Sequence, residues 1–408
     1  MKDKIHVCMV VTTDFIHDRR VRKEARSVLD LGYRVTMIAT ARPEDALYGQ
    51  ADNLDAEFGG ADFAFRPVHL PGRARGVSLP VLSTLIAVIW AIWSYLKIMI
   101  AVFRVRADLY HCHDIDALAL ARLPAWVWRG KVVFDCHDIM SDIQIKGSIL
   151  ARLRPVIAFF ERHLPQTAHG VIAAAPSFAA RVAADSGVNE TSIVPVLNCP
   201  RLHAMEETDA LRRAFDIPQA APVLLYLGSL NPDRGLDQLI PVIDDLVLEA
   251  HVVLMGPGHD QVKAVLSEQI SALKSKARVH LGGFVPLDDV PKMLMAATMT
   301  IIPNRYVSEA YNSLPNKLFE AMMAGRPFVC HDIPAMAAIV RETECAVILA
   351  DETAATMASS LNRVLADSSL ARELGQNGRR AAERTYNWQS QADQIGALYR
   401  RVLGAQSG

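Results

Sequence analysis

The chain has 408 residues, which is too long for one ordinary core and predicts two domains of about 200 residues each. Hydrophobic residues make up 51% and charged residues 21%, as in a globular protein, and the net charge of −1 argues against a nucleic-acid partner. The six cysteines have neither paired nor metal-type spacing, which is typical of reduced, buried thiols in a cytoplasmic protein.

The amino-terminal residues predict a β-α-β unit. Ile5–Val11 is a predicted strand, Asp18–Leu31 a helix that ends at Gly32, and Tyr33–Ala39 the next strand. This order predicts a doubly wound, mostly parallel sheet. The first strand is not followed by G-x-G-x-x-G, so a dinucleotide site is not expected.

A segment without acidic residues follows. From Phe63 to Ala107 there is no Asp or Glu, and the uncharged run Gly76–Leu96 contains Trp90 and Trp93. A membrane-spanning helix is rejected because it would separate the first strands from the rest of their sheet. A buried crossover helix and an interfacial helix on an anionic membrane surface both remain open. Basic flanks and tryptophans favour the interfacial helix, over about residues 76–106.

Two predicted strands end in histidine and aspartate. Asp108–Cys112 leads into His113-Asp114, and Lys131–Cys136 leads into His137-Asp138, so both pairs reach the same sheet edge. A metal site is not predicted, because neither HExxH nor a cysteine framework accompanies the histidines. A hydrolase is not predicted, because no G-x-S-x-G elbow exists. Histidines with a purely structural role remain open.

The pattern restarts after a polar linker at 201–221. The predicted strand Val223–Leu227 leads into a loop from Gly228 to Gly235, in which glycine lets the backbone approach a phosphate and Arg234 can bind it. The strand His251–Met255 is likewise followed by a glycine turn. The sequence therefore predicts a second α/β domain with glycine-rich turns at its sheet edge.

The stretch from Met299 to Cys330 predicts a strand, a polar loop, a short helix and a second strand. The helix begins near Pro315 and is ended by Gly325. Its predicted inward face consists of Leu318, Ala321 and Met322. Lys317 and Glu320 share another face, where an ammonium, the helix N-terminus and a carboxylate would meet a diphosphate and a ribose.

Several of these segments carry a family resemblance. SLPNKLFEAMMAGRPFV resembles the donor-binding signature of family 4 retaining glycosyltransferases, which have the GT-B fold. DLYHCHD, VFDCHD and DRRVRKEARSVLDLGYRV resemble other segments of that family, and the resemblance covers nearly the whole chain. It implies two doubly wound Rossmann-like α/β domains facing across a cleft. These would be an acceptor-binding domain at 1–200, a nucleotide-sugar-binding domain at 201–385, and a helix at 386–408 returning to the first domain.

The resemblance also implies residue roles. His113, with His137 nearby, would face the donor sugar, while Arg234 and Lys317 would stabilise the leaving diphosphate. The expected donor-binding residues are Gly228, Ser229, Gly256, Phe284, Asn312, Ser313, Leu314 and Glu320. Asp18 and Arg19 are candidates for contacting acceptor or phosphate, although Asp18 also suits a simple helix N-cap.

The chain departs from the family pattern at three of these positions. Ser229 replaces the usual arginine, Arg234 replaces a lysine, and Asn312 replaces the first of two glutamates. Losing the first cation weakens phosphate binding unless another residue such as Lys317 takes its place. An amide still exchanges hydrogen bonds with sugar hydroxyls, but any role that needs negative charge at residue 312 is in doubt.

The resemblance, together with these residues, implies a metal-independent, retaining hexosyltransferase that needs no cofactor. The expected donor is a nucleotide-diphospho-sugar, in particular a UDP-sugar, and the expected acceptor is a glycan or polyprenyl-linked saccharide. The enzyme would be cytoplasmic and peripherally bound to the inner face of the cell membrane, in polysaccharide biosynthesis. Two alternatives remain open: a nucleotide-sugar epimerase on the same fold, and a non-catalytic homologue that binds nucleotide sugars.

Overall fold

A computed structural model describes residues 4–16, 18–41, 58–69, 80–142, 149–231, 234–304 and 314–404, with the backbone alone at 80–88, 149–152, 277 and 287. The chain forms two compact units, unit 1 from 1–196 with 392–408 and unit 2 from 197–391. The first boundary between the units lies between Val196 and Leu197, where the hydrogen-bond partner of the backbone changes from one unit to the other. Val196 N–H donates to Ala173 in unit 1, whereas Leu197 N–H donates to Gln391 in unit 2.

Unit 1 is built on a parallel sheet. Its strands within the described residues are β1 (His6–Val10), β2 (Arg34–Ala41), β3 (Phe63–His69), β4 (Leu109–His113), β5 (Lys131–Cys136), β6 (Gly170–Ala173) and β7 (Ile193–Pro195). Their order is β3-β2-β1-β4-β5-β6-β7. The chain order therefore reverses between β1 and β4, and ligands of such sheets bind outside the carboxyl ends of the strands at that point.

Helices connect these strands. They are α1 (Arg19–Asp30), α2 (Pro80–Phe103), α3 (Asp114–Trp128), α4 (Ile149–His163) and α5 (Pro176–Ser186). The carboxylate of Asp18 accepts hydrogen bonds from the N–H groups of Arg20 and Val21, both at 3.0 Å, so Asp18 is the N-cap of α1.

Helix α2 is the crossover between β3 and β4. Ser94, Ile98 and Val102 recur every four residues and are buried, which fixes one stripe of the helix against the protein. The other side leaves Ile92 63% and Trp93 52% exposed. A search of the described helices for one long and apolar enough to cross a membrane finds no candidate. The crossover is thus real, and it also carries an exposed apolar face.

Unit 2 repeats the parallel design. Its strands within the described residues are β8 (Val223–Leu227), β9 (His251–Met255), β10 (Val279–Leu281), β11 (Met299–Ile302), β12 (Phe328–Cys330) and β13 (Ala346–Ile348). The order β10-β9-β8-β11-β12-β13 reverses between β8 and β11. The turn after β8 and the segment after β11 therefore flank the ligand-binding position expected for this sheet.

The helices of unit 2 pack around this sheet. They are α6 (Ala210–Phe215), α7 (Leu236–Leu239), α8 (Asp260–Ser271), α9 (Val290–Ala296), α10 (Asn316–Met323), α11 (Pro334–Thr343), α12 (Ala354–Ala366) and α13 (Ser368–Arg384). In α10 the predicted inward residues Leu318, Ala321 and Met322 are buried in the core beside β12. Pro315 is the N-cap residue of α10, just before its first turn.

The last helix, α14 (Trp388–Leu403), joins unit 1 from residue 392 onward. Tyr399 is fully buried there and makes an edge contact with Tyr33, with 5.7 Å between ring centroids. Gly170 at the start of β6 gives α14 its close approach, because a Cβ at residue 170 would lie 2.9 Å from Leu398. The end of the chain is therefore part of the first core.

Candidate functional site

The carboxyl edge of the unit 1 sheet brings the two predicted histidines together. His113 ends β4 and His137 follows β5, and His113 Nδ1 lies 3.2 Å from His137 Nε2. His111, two residues earlier on β4, stacks on His113 with 4.5 Å between ring centroids. His113 and His111 are fully buried, so this part of the edge is an interior cluster.

Three charged residues that sequence analysis did not select complete the cluster. The Arg20 guanidinium donates to Asp135 at 3.0 Å and lies 2.9 Å from the Glu24 carboxylate. Both carboxylates are fully buried. The signal was present in the sequence, since Asp135 is an acidic residue inside an apolar strand and Arg20 and Glu24 stand one helical turn apart.

The pKa values within the cluster diverge. Burial opposes ionisation of Asp135, but Arg20 and then His137 outweigh it and hold the Asp135 pKa well below its usual range. Burial and then the Asp135 charge raise the pKa of Glu24 well above normal. Burial also disfavours the charged form of His137, yet Asp135 prevails and raises the His137 pKa to about 9. At neutral pH the cluster thus pairs an ionised Asp135 with two cations.

The protonation of His113 follows from its neighbours. Burial and then His111 lower the pKa of His113 well below its usual range, so the ring is neutral. The protonated His137 directs its Nε2–H toward Asp135 at 3.1 Å, with His113 Nδ1 3.2 Å away. His113 Nδ1 also lies 3.5 Å from Asp135, so it faces both His137 and Asp135. Among the residues the structure describes, the Nε2 of His113 has no hydrogen-bond partner.

Asp114 links the ends of β4 and β5. Its carboxylate accepts hydrogen bonds from the N–H groups of His137 at 2.9 Å and Asp138 at 3.2 Å. Its φ of +67° is a left-handed conformation that a non-glycine residue rarely adopts. Burial raises the Asp114 pKa to about 7. A left-handed backbone held in place by side-chain hydrogen bonds is a feature that concentrates at functional sites.

The same cluster has the donor types of a metal site. Ligand atoms of Glu24, His113, Asp135 and His137 lie within 4.8 Å of one another. The Arg20 guanidinium, however, already contacts both carboxylates, and His137 is cationic. A divalent ion would be repelled by these two positive charges or would have to displace them, so the residues fit a network of internal ion pairs better than a metal centre.

At the point where the strand order of the unit 2 sheet reverses, between β8 and β11, a glycine turn lies against Lys317. This point is called the switch point of the sheet. Gly228 follows β8 with φ +153°, and a Cβ there would lie 2.3 Å from Lys317 Cε and 2.7 Å from Nζ. Lys317, in the first turn of α10, also places Nζ 4.0 Å from the centre of the Tyr226 ring. The absence of a side chain at residue 228 is therefore what admits the ammonium group.

Two further turns pack behind Gly228. A Cβ on Gly256, after β9, would lie 2.0 Å from the Gly228 carbonyl oxygen, so residue 256 must be glycine for this approach. Gly235 similarly backs onto Pro303, after β11, where a Cβ would lie 1.8 Å from the carbonyl oxygen. Tyr226 donates its hydroxyl hydrogen to the Ser229 carbonyl at 2.7 Å. The contact of Gly256 with Gly228 forms a backbone cradle beside Lys317, and Gly235 makes a separate close contact with Pro303.

The remaining predicted residues lie as follows. Glu320 is half-buried on α10, three residues after Lys317 on the side left outside the core, and Leu314 is half-buried before the helix. Arg234 lies half-buried within the loop that follows Gly228. Phe284 is 68% exposed, next to Gly283, whose carbonyl accepts from Gly256 N–H.

The other predicted residues lie on helices α1 and α2 or outside the residues that the structure describes. Arg19, in the first turn of α1, is half-buried, and its neighbour Arg20 supplies the guanidinium of the histidine cluster. Trp90 is half-buried on α2, beside the exposed Trp93. Asn312 and Ser313 lie outside the described residues. The structure therefore places the predicted histidines at one sheet edge and Gly228, Gly256 and Lys317 at the other, whereas Trp90 and Trp93 lie apart on α2.

Two family models match the chain. Glycosyl transferase 4-like domain matches residues 17–199, and Glycosyl transferases group 1 matches residues 207–381. Alpha-D-kanosaminyltransferase of Streptomyces kanamyceticus is 23% identical over 44% of this chain and 46% of its own length. The 2-deoxystreptamine glucosyltransferase of the same organism is 24% identical over 61% and 65%. The aligned part thus spans from about half to two thirds of these relatives' length.

Solved structures show the same fold. Anabaena HepE in complex with UDP superimposes with a TM-score of 0.72 at 15% identity, covering 97% of this chain and 99% of that one. Sucrose-phosphate synthase from Thermosynechococcus elongatus gives 0.72 at 17% identity, covering 99% and 100%. Two parallel α/β units with these neighbours define the class of GT-B proteins. The chain belongs to family 4 of the glycosyltransferases, as the matches to both halves show.

Proposed function

We propose that the chain is a metal-independent, retaining hexosyltransferase that uses a nucleotide-diphospho-sugar, in particular a UDP-sugar. One observation carries this proposal: Lys317 is held against the glycine turn after β8, at the switch point of the unit 2 sheet. A backbone cradle beside an ammonium and a helix N-terminus suits a diphosphate. UDP in the HepE structure supports uridine as the nucleoside.

The proposed reaction needs no protein nucleophile. The bond between the sugar C1 and the diphosphate oxygen breaks, and the acceptor hydroxyl oxygen bonds to C1 on the same face. The hydroxyl proton passes to the departing diphosphate. Arg234 and Lys317 stabilise the charge that develops on that diphosphate, which is electrostatic catalysis. Asp135 and Glu24 take no part as nucleophiles, because both are buried against Arg20.

The histidine cluster of unit 1 is proposed to bind the donor sugar. The Nε2 of His113 is buried and has no hydrogen-bond partner among the described residues. A buried polar atom without a partner is costly, and a sugar hydroxyl can either donate a hydrogen bond to it or accept one from it. His137 has a supporting role, because its charge is committed to Asp135. We assign His113 to the sugar and His137 to the orientation of His113.

The acceptor is proposed to be a glycan or polyprenyl-linked saccharide at the inner membrane face. Support comes from α2, whose outer side exposes Ile89, Ile92 and Trp93 beside Lys97. Apolar and tryptophan side chains next to cations suit an anionic membrane surface. The double variant Trp90→Ser/Trp93→Ser should shift the protein from membranes to the soluble fraction. Val265→Ser, at a residue 54% exposed in unit 2, is the matched control.

The donor site is tested by removing the carboxylate of Glu320, which follows Lys317 by three residues on α10. Glu320→Ala should weaken UDP binding in calorimetry by roughly 1–3 kcal/mol, because a charged acceptor for ribose hydroxyls is lost. Glu268→Ala, on an exposed position of α8, serves as control. Equal UDP affinity in both variants and the wild type would remove Glu320 from the site.

Activity distinguishes the proposal from its two rivals. Purified protein is incubated with UDP-sugars, with and without a membrane lipid extract. Lipid-dependent release of UDP supports the transferase. An epimerised donor in the absence of lipid identifies an epimerase, and donor binding without turnover identifies a non-catalytic homologue.

A further inference from the structure

A cavity in unit 1 lies away from the histidine cluster. It has a volume of about 730 Å³ and lies where α3 ends and β5 begins, so it is at the amino end of the strands. The histidine cluster lies at their carboxyl end. This cavity is therefore separate from every residue assigned above to donor or acceptor chemistry.

Positive charge dominates the cavity. Arg122, Arg129 and Lys131 line it, and its lining includes no acidic residue. Within the part of the chain that the structure describes, none of these three cations has a carboxylate within ion-pair distance. Arg20, Arg26 and Arg181, elsewhere in unit 1, each face a carboxylate. Three uncompensated cations around one cavity repel one another and favour an anion.

The backbone places these cations around the cavity. Gly130 packs so closely that a Cβ would lie 2.6 Å from the Tyr110 ring and 2.7 Å from the Ala107 carbonyl oxygen. Only glycine at residue 130 therefore allows the turn to pack this closely against the sheet, and Arg129 and Lys131 are its two neighbours in the chain. The backbone positions of these two cations are thus fixed by the packing of Gly130.

A neutral hydrogen-bond donor completes the polar part of the lining. His169 accepts a hydrogen bond at Nδ1 from the Val132 N–H at 3.1 Å, so its proton is on Nε2. Burial, then Lys131 and Arg122, lower the His169 pKa, which shows that both cations act on the same point. Thr167 also lines the cavity. The lining thus offers charged and neutral donors, as a phosphate requires.

An apolar rim adjoins the cavity. Trp126, which lines it, is 74% exposed, and Leu123 and Val127 beside it are 49% and 43% exposed. Trp128 joins this end of α3 to the end of α2 by donating its ring N–H to Phe103 at 3.0 Å. The rim is therefore connected to the helix that carries the exposed Trp93. Tryptophan beside basic residues is typical of the membrane–water interface.

We propose that this cavity binds the phosphate headgroup of an anionic membrane lipid, with Trp126 inserted at the interface beside it. The proposal rests on the membrane contact assigned to the protein above and gives it a specific lipid site. A soluble phosphate shares the polar chemistry but leaves Trp126 and its apolar neighbours in water. A lipid would contact both the cations of the cavity, through its phosphate, and the apolar rim, through its hydrophobic part.

The experiment measures cosedimentation of the full chain with vesicles. Vesicles of phosphatidylcholine are compared with vesicles that also contain phosphatidylglycerol. The variant Arg122→Gln/Arg129→Gln/Lys131→Gln should lose roughly 10–100-fold in affinity for the anionic vesicles, because each basic residue contributes separately at the surface. Its weaker binding to neutral vesicles should not change. The charge-matched control Lys263→Gln/Lys274→Gln/Lys292→Gln, in unit 2, should retain the preference for anionic vesicles.

Other outcomes overturn the proposal. Equal losses in the two triple variants would show diffuse attraction without a specific site. Calorimetry with inorganic phosphate is the second arm, and phosphate binding that depends on the three cations without any vesicle preference would identify a small soluble anion. UDP calorimetry is run on each variant to show that it is folded. Because UDP binding and sugar transfer are scored separately, loss of vesicle binding alone rejects only this lipid site.

Discussion

The carboxyl edges of the two sheets differ in where their charged groups lie and in what surrounds them. In unit 1 the cluster of Arg20, Glu24, Asp135 and His137 is buried, and its charges are paired within the protein. In unit 2 the edge consists largely of backbone at glycine turns, with Lys317 laid over Gly228. The first edge is held by ion pairs among its own side chains, and the second is shaped by the absence of side chains.

This difference separates what each edge contributes to function. A buried network of ion pairs and hydrogen bonds holds side chains in one geometry, which suits the orientation of His113. A glycine cradle leaves N–H groups and space for a ligand that brings its own negative charge. Changes in the first edge should therefore act mainly on stability, and changes in the second mainly on binding.

Asp135→Asn should give the largest effect. It leaves the buried Arg20 cation without its ionised partner, and losing one member of a buried pair costs about 3–5 kcal/mol of the free energy of unfolding. Denaturant unfolding monitored by fluorescence measures this loss. Asp30→Asn removes the exposed partner of Arg26 and should cost less than about 1 kcal/mol. Similar losses in both variants would contradict the buried network.

Gly228→Ala should act mainly on binding. The new Cβ would lie 2.3 Å from Lys317 Cε, and the flexible end of that side chain can move aside, so the ammonium is displaced. UDP affinity should fall roughly 10–100-fold with the loss of a charge-assisted contact. Gly283→Ala is the matched control, because a Cβ there meets nothing within 4 Å. A stability loss without a loss of UDP affinity would place the ligand elsewhere.

The charge of His137 predicts a pH dependence of stability. Its pKa rises from 6.5 to about 9 on folding, so the stabilisation is complete below pH 6.5 and is lost as the pH rises through about 9. The difference in unfolding free energy between wild type and His137→Gln should shrink by up to about 1.4 kcal/mol per pH unit in that window. Urea unfolding at several pH values measures it. A difference in unfolding free energy that stays constant with pH would mean that Asp135 does not raise the pKa of His137.

Chelation should have the smallest effect, namely none. Because Arg20 already supplies the positive charge between Glu24 and Asp135, dialysis against EDTA should leave the melting temperature and UDP release unchanged. Added Zn²⁺ should not raise the melting temperature. A stabilisation that depends on Glu24 and His137 would show that a metal displaces the guanidinium.

Local pattern was enough to predict much of unit 2. The apolar spacing of Leu318, Ala321 and Met322 predicted the inward face of α10, which is a property of the helix alone. The histidines of unit 1 were predicted to meet because parallel strands end at one edge. Their charged neighbours were missed: local pattern marks Asp135, Arg20 and Glu24 as unusual, but Arg20 reaches Asp135 across 115 residues of sequence, so local pattern does not indicate that they meet.

The acid-free segment shows the same division. Its composition predicted both a crossover and an interfacial helix as alternatives, and in the structure α2 is the crossover while its outer side exposes Trp93. By itself the sequence determined the family, the repeated α/β order and the residue types at each strand end. Only the tertiary structure decided that Arg20 pairs with Asp135 beside the histidines and that Lys317 lies over Gly228. The reason is physical: helix and strand periodicity are set by neighbours a few residues apart, whereas charge pairing and close backbone approach depend on residues that only the fold brings together.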